Sequence, residues 1–108
     1  MKKILITGSS GFIGSNLIEF FLNKYEIFSL SRSIKKKIFD KNVKNVLYKD
    51  LNNFLNNNKI DFIIHTAAVS PNNKIKIENY VNSNIKLTKS LLDKFIKYKI
   101  KNFIFLSS

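Results

Sequence analysis

The sequence predicts an α/β fold, a doubly wound parallel sheet of about five strands with helices on both faces, and three observations carry that prediction. Short apolar runs alternate along the chain with segments whose apolar residues return at helical spacing. The only three glycines, Gly8, Gly11 and Gly14, stand three residues apart where the first apolar run meets the first helical segment. The 108 residues are 44% hydrophobic and 13% aromatic, enough to build one small domain around a packed core.

Lys3 to Thr7 is an apolar, β-branched run ending at glycine, which reads as a strand buried on both faces. From Gly11 to Lys24 the period changes: Ile13, Leu17, Ile18, Phe21 and Leu22 recur at offsets of three and four, giving a helix with one buried face. Tyr25 to Leu30 is the second strand and Ile34 to Asn42 a lysine-rich connection. Asn45 to Tyr48 forms a short third strand. Leu51 to Asn58 holds at most a helical turn, because the asparagine run at 56 to 58 favours a loop. Asp61 to His65 is the fourth strand, and Pro71 punctuates the loop after it. The longest helix runs from about Ile75 to Tyr98, with Ile77, Val81, Ile85, Leu91, Leu92, Phe95 and Ile96 expected inward, Thr88 on the same stripe and Leu87 beside it. Asn102 to Leu106 supplies a fifth strand.

The charge of +12 would ordinarily suggest nucleic acid or an anionic membrane surface. Composition offers a plainer cause. Lys, Asn, Ile and Phe contribute 18, 15, 16 and 10 residues, more than half of the chain, and all four have AT-rich codons. The excess of lysine therefore reads as genome bias on a solvated surface, and neither nucleic acid nor membrane is expected as a partner. No window supplies the roughly 18 apolar residues of a membrane span, and Thr7 to Gly11 cuts the first apolar run too short for a signal peptide. The absence of cysteine fits a reducing cytoplasm, and with a single histidine it argues against zinc.

The glycine spacing has a physical reading. The first glycine permits a tight turn, the second lets a pyrophosphate approach the backbone, and the third lets helix and strand pack closely. The diphosphate would rest on the free N–H groups at the positive end of the first helix, with the Ser9 and Ser10 hydroxyls as further donors.

Ile6-Thr7-Gly8-Ser9-Ser10-Gly11-Phe12-Ile13-Gly14-Ser15-Asn16-Leu17 has G-x-x-G-x-x-G spacing and resembles the start of extended short-chain dehydrogenases/reductases, the NAD-dependent epimerase/dehydratase family acting mostly on nucleotide sugars. The resemblance extends over essentially the whole chain and implies a Rossmann-like sheet. It implies that Gly8 to Gly14 bind the cofactor, that Asp50 and Leu51 contact the adenine, and that Thr66, Ala67 and Ala68 of the His65-Thr66-Ala67-Ala68 segment lie along it. Asp50 read alone is equally a turn or helix-cap residue, and His65 a hydrogen-bonded strand-end histidine with no acid or base role. Tyr80 to Thr88 is similar to the family's N-x-x-G-T helix, with Asn84 at the cofactor and Leu87 replacing the glycine. Phe103 to Ser108 resembles the fifth strand, at whose end the family places a catalytic Ser or Thr, so Ser108 is the candidate.

Cofactor choice, NAD or NADP, falls to the end of the second strand. Ser31 stands where the family carries an acidic residue, and Arg32 beside it would pair with a 2'-phosphate, tilting the expectation toward NADP. The family's Tyr-x-x-x-Lys is absent: Tyr25, Tyr48, Tyr80 and Tyr98 are followed four residues on by Ser29, Asn52, Asn84 and Asn102. The expectation is thus the cofactor-binding domain, 1–108, of a nucleotide-sugar epimerase, dehydratase or reductase, without its substrate domain, with its sheet incomplete on the C-terminal side and inactive alone. Its sheet edge would invite homodimerisation or self-association. A non-catalytic dinucleotide-binding or interaction module is the alternative.

Overall fold

The computed structural model describes residues 1–9, 11–31, 42–66 and 77–106. Five parallel strands, β1 (Lys3–Thr7), β2 (Glu26–Ser31), β3 (Val43–Leu47), β4 (Phe62–His65) and β5 (Asn102–Phe105), form one sheet in the order β3-β2-β1-β4-β5. Helix α1 (Phe12–Phe21) covers one face; α2 (Leu51–Asn57) and α3 (Ile77–Lys97) are the other described helices.

Alternation along the strands divides the core into two layers. Ile4, Ile6, Ile27, Val43 and Ile64 meet Ile18 of α1 on one side, with Phe21, Tyr25 and Phe62 in an edge-to-face chain at its border. On the other side, Leu5, Phe28, Leu30, Val46 and Ile63 pack against Leu51 and Leu55 of α2 and Leu87 and Leu91 of α3.

Helix α1 is shorter than its periodicity suggested. It ends at Phe21, where Lys24 and Tyr25 both donate to the Phe21 carbonyl and turn the chain into β2. The asparagine run expected as loop instead finishes α2, because its side chains satisfy carbonyls of the preceding turn: Asn57 Nδ2 donates to Asn53 O at 2.8 Å and Asn58 Nδ2 to Phe54 O at 3.0 Å.

The register of α3 also needs correction. Leu87 and Leu91 are buried and Phe95 is half-buried, whereas Ile85, Leu92 and Ile96, expected inward, are exposed, Ile96 at 72%. The helix carries apolar residues on two stripes, and the sheet takes the one that includes Thr88. Leu87, where the resemblance has glycine, fills space within the core.

At the end of α3 the Lys99 N–H donates to Ile96 O and the Ile100 N–H to Phe95 O, closing a Schellman turn with Lys99 at a φ of 53°. A side chain there is strained. Lys99→Gly should stabilise the domain by about 1 kcal/mol, a rise in Tm of roughly 4–8 °C by calorimetry.

Lysine stems also cover aromatic surface. Lys24 Nζ lies 4.6 Å from the Phe20 ring centre, and Lys2, Lys44 and Lys97 stand over Phe62, Phe28 and Tyr98. Part of the basic excess is thus used against the protein's own rings. No helix among the described residues is long and apolar enough to cross a membrane.

Candidate nucleotide site

In a sheet of order β3-β2-β1-β4-β5 the connections leave β1 in one direction and β4 in the other, so a crevice opens beyond the C-terminal ends of these two strands. Thr7 and His65 are register partners at those ends, and the glycine loop begins one residue later.

Each described glycine has its own task. Gly8 has a φ of 71°, left-handed backbone that favours glycine, and its carbonyl accepts the Gly11 N–H at 3.0 Å to close the turn. A Cβ on Gly14 would lie 2.1 Å from the Gly8 oxygen, so α1 approaches the strand end as only glycine allows. At Gly11 the φ is −78° and a Cβ would stand 3.3 Å from the same oxygen, so a small side chain there requires the Gly8 carbonyl to give by a few tenths of an ångström, a far milder conflict than at Gly14. Gly11 is the N-cap of α1 without a side-chain cap, and the first turn contains no acidic residue. The positive end of the helix is left open to an outside anion. Phe12 and Ile13 are exposed beside it, Phe12 at 85%.

Ser9 behaves differently from expectation. Its hydroxyl is turned inward, 4% exposed, donating to Ile6 O and accepting from Ser29 Oγ at 2.8 Å. It ties the loop to β2, and in this arrangement the hydroxyl is engaged within the protein. Thr66 clamps the same turn from β4: its hydroxyl donates to Thr7 O at 2.6 Å, and its N–H to Thr7 Oγ1 at 3.2 Å.

His65 is fully buried on the α3 side. Its Nδ1 lies 2.6 Å from Thr7 Oγ1 and its Nε2 2.9 Å from Thr88 Oγ1, so both ring nitrogens are occupied, as the strand-end reading expected. Sequence reasoning missed the two threonines. The usable signal was a hydroxyl residue ending the otherwise apolar β1 opposite the lone histidine ending β4.

Burial pushes the His65 pKa below its ordinary 6.5, so the folded state holds the ring neutral while the unfolded chain takes up a proton near 6.5. Its contribution to stability is therefore complete above 6.5 and lost as pH falls from 6.5 toward the lowered folded value. Urea midpoints should fall as pH drops below about 6.5 in the native chain and change less steeply in His65→Phe.

At the end of β2, the Ser31 hydroxyl oxygen is buried and has no hydrogen-bond partner among the described residues. Such a group usually awaits one. Asp50 is exposed and occupies the N-cap position of α2, as the helix-cap reading expected, but makes no side-chain cap bond. Leu51, expected against adenine, has its side chain in the core and is 1% exposed. Asn84 is half-buried one turn before Thr88. Ser10, Arg32, Ala67, Ala68, Pro71 and Ser108 lie outside the described residues.

An open parallel sheet with a glycine-rich strand-to-helix turn at its switch point defines a Rossmann-like, doubly wound α/β fold. The chain belongs to the NAD dependent epimerase/dehydratase family, whose model matches residues 4–108. It is 32% identical to a dTDP-D-glucose 4,6-dehydratase of Dictyostelium discoideum over 126 aligned positions, covering 100% of this chain and 29% of the dehydratase. Among solved structures, the Bifidobacterium longum UDP-glucose 4-epimerase in complex with NAD+ and UDP superposes with a TM-score of 0.79 at 26% identity, over 99% of this chain and 37% of the epimerase. A yeast methylglyoxal/isovaleraldehyde reductase complexed with NADPH shares the fold, with a TM-score of 0.82 at 18% identity over 98% of this chain and 37% of the reductase. The chain thus spans well under half the length of these relatives.

Proposed function

We propose that residues 1–108 are the NAD(P)-binding domain of a cytoplasmic nucleotide-sugar epimerase, dehydratase or reductase. The observation that carries this reading is the pair Gly11 and α1. Gly8 and Gly14 are glycines because the backbone requires it, whereas the bare Gly11 beside an uncapped helix end is explained by a pyrophosphate on the free N–H groups. Nicotinamide, when bound, supplies hydride transfer to and from the sugar. This chain's residues bind and orient: the Phe12 and Ile13 N–H groups take the phosphates, Ser31 with Arg32 the adenosine ribose, Thr66 to Ala68 the face beyond β4, and Asn84 the α3 side. Ser108 remains the proposed polar group at the reacting end. A Tyr-x-x-x-Lys pair is not in these residues, so no proton step is assigned within them.

Preference for NADP follows from the end of β2. Ser31 removes the carboxylate that would repel a 2'-phosphate, its hydroxyl is unpartnered among the described residues, and Arg32 follows it. Fluorescence titration should give tighter NADPH than NADH binding, and Ser31→Asp should reverse the order by about tenfold or more, since a charge-assisted bond is worth about 1.5–3 kcal/mol. Tighter NADH binding by the native chain would sink the NADP reading, and binding of neither dinucleotide would sink the site. Binding by a monomeric, cooperatively folding 108-residue chain that is inactive toward nucleotide sugars would favour the non-catalytic module instead.

A further inference from the structure

The hydrogen bonds around His65 form a continuous path from α3 to the glycine loop. Thr88 Oγ1 meets His65 Nε2, and His65 Nδ1 meets Thr7 Oγ1. Thr7 Oγ1 also accepts the Thr66 N–H, while the Thr66 hydroxyl donates to Thr7 O and reaches Gly8 O at 3.4 Å. Gly8 O in turn accepts the Gly11 N–H that closes the turn at the start of α1. Three segments distant in sequence, 7–11, 65–66 and 88, therefore share one chain of donors and acceptors, buried at the Thr7–His65 link and part-buried elsewhere.

The imidazole is the central link, because it alone joins hydroxyls on opposite sides through two nitrogens a fixed distance apart. Thr7, Thr88, Phe103 and Phe105 flank it from β1, α3 and β5, and none carries a charge. In the neutral ring one nitrogen donates and the other accepts, so the path has a direction set by the tautomer. Asn84 lies four residues before Thr88, about 6 Å further along the helix axis and past the end of β4, on the crevice side.

We propose that His65 is a positioning residue that couples the glycine loop to α3, so that the geometry of the Gly8–Gly11 turn and the placement of Asn84 are set together. This coupling rests on the dinucleotide reading only for its consequence in affinity; the coupling itself is a property of the protein.

The test uses the whole 15N-labelled chain. Thr88→Val keeps shape and removes the hydroxyl, and Thr88→Ser restores it. Thr88→Val should move the Gly8 and Gly11 amide resonances and weaken NADPH binding about tenfold, equivalent to about 1.4 kcal/mol, with Thr88→Ser returning both. Exposed Ile96→Ala on the same helix should change neither. In the unsubstituted protein the Gly8 and Gly11 amides should titrate with the midpoint of the His65 ring nitrogens, a readout that needs no variant to fold. Glycine amides unmoved by Thr88→Val, or by His65 titration, overturn the coupling. If the native chain binds neither NADH nor NADPH, the dinucleotide reading fails, and the amide shifts alone decide for or against the bridge.

Discussion

Gly14→Ala should lower the urea midpoint steeply and abolish dinucleotide binding. The added methyl would sit 2.1 Å from the Gly8 oxygen, 2.8 Å from its carbonyl carbon and 3.0 Å from Ser9 Cα, all backbone atoms. None can swing aside as a side-chain tip would. Gly8 O is held by the Gly11 N–H, and Ser9 by its bond with Ser29, so relief must come from α1 moving off the strand end. Ile18, Leu17 and Phe21 would then lose contact with the sheet. A cost of about 3 kcal/mol or more is expected, the upper range for overpacking. Gly11→Ala is the informative contrast. Its methyl would stand 3.3 Å from the same oxygen, so the urea midpoint should fall much less than for Gly14→Ala while NAD(P)H affinity falls. Equal urea midpoints for Gly14→Ala and the native chain would contradict the close approach.

Leu91→Ala is the second large effect. Leu91 is wholly buried in the middle of α3, within the cluster that also holds Leu5, Phe28 and Ile63 of the sheet. Truncating such a side chain removes its burial and leaves a cavity, together about 2–5 kcal/mol. Against a typical total of about 5–15 kcal/mol, that leaves a marginal domain. The urea midpoint should fall steeply with an unchanged slope, whereas Leu92→Ala, one position on and 40% exposed, should fall little. Similar losses for both would mean that α3 docks through a different stripe.

That comparison also shows where the sequence was legible. The strands are short apolar runs closed by turn residues, so alternation with helical spacing sufficed to place all five within a few residues. The glycine loop was legible because the chain's three glycines all fall at one junction. The α3 register was not, since Ile85, Leu92 and Ile96 form an apolar stripe as convincing as the buried one. What separates them is the Thr88 bond to His65, a contact across 23 residues that no local pattern reveals. The inward-turned side chains of Ser9 and Leu51 were not legible for a related reason. A residue type suited to a ligand says nothing about which way its side chain turns, and Ser29 and the α2 core decide that here. The Asn57 and Asn58 bonds to the preceding turn likewise reversed a compositional rule through local geometry.

The sheet order has a consequence for the sequence of events in folding. β1 precedes the other four strands of this sheet in sequence, yet it lies in the middle, with Lys3 paired to Glu26 and Ile4 to Phe62. Its first edge can be satisfied as soon as β2 has left the ribosome, but its second must stay open until β4 arrives. During that interval Leu5 and Ile6 line a half-sheet with one unpaired side, and closing it means ordering an intervening loop of more than fifty residues. Refolding should therefore show an early β1–β2–β3 species followed by a slower step, and the interval between them is when this chain is most exposed to capture by another nascent copy of itself.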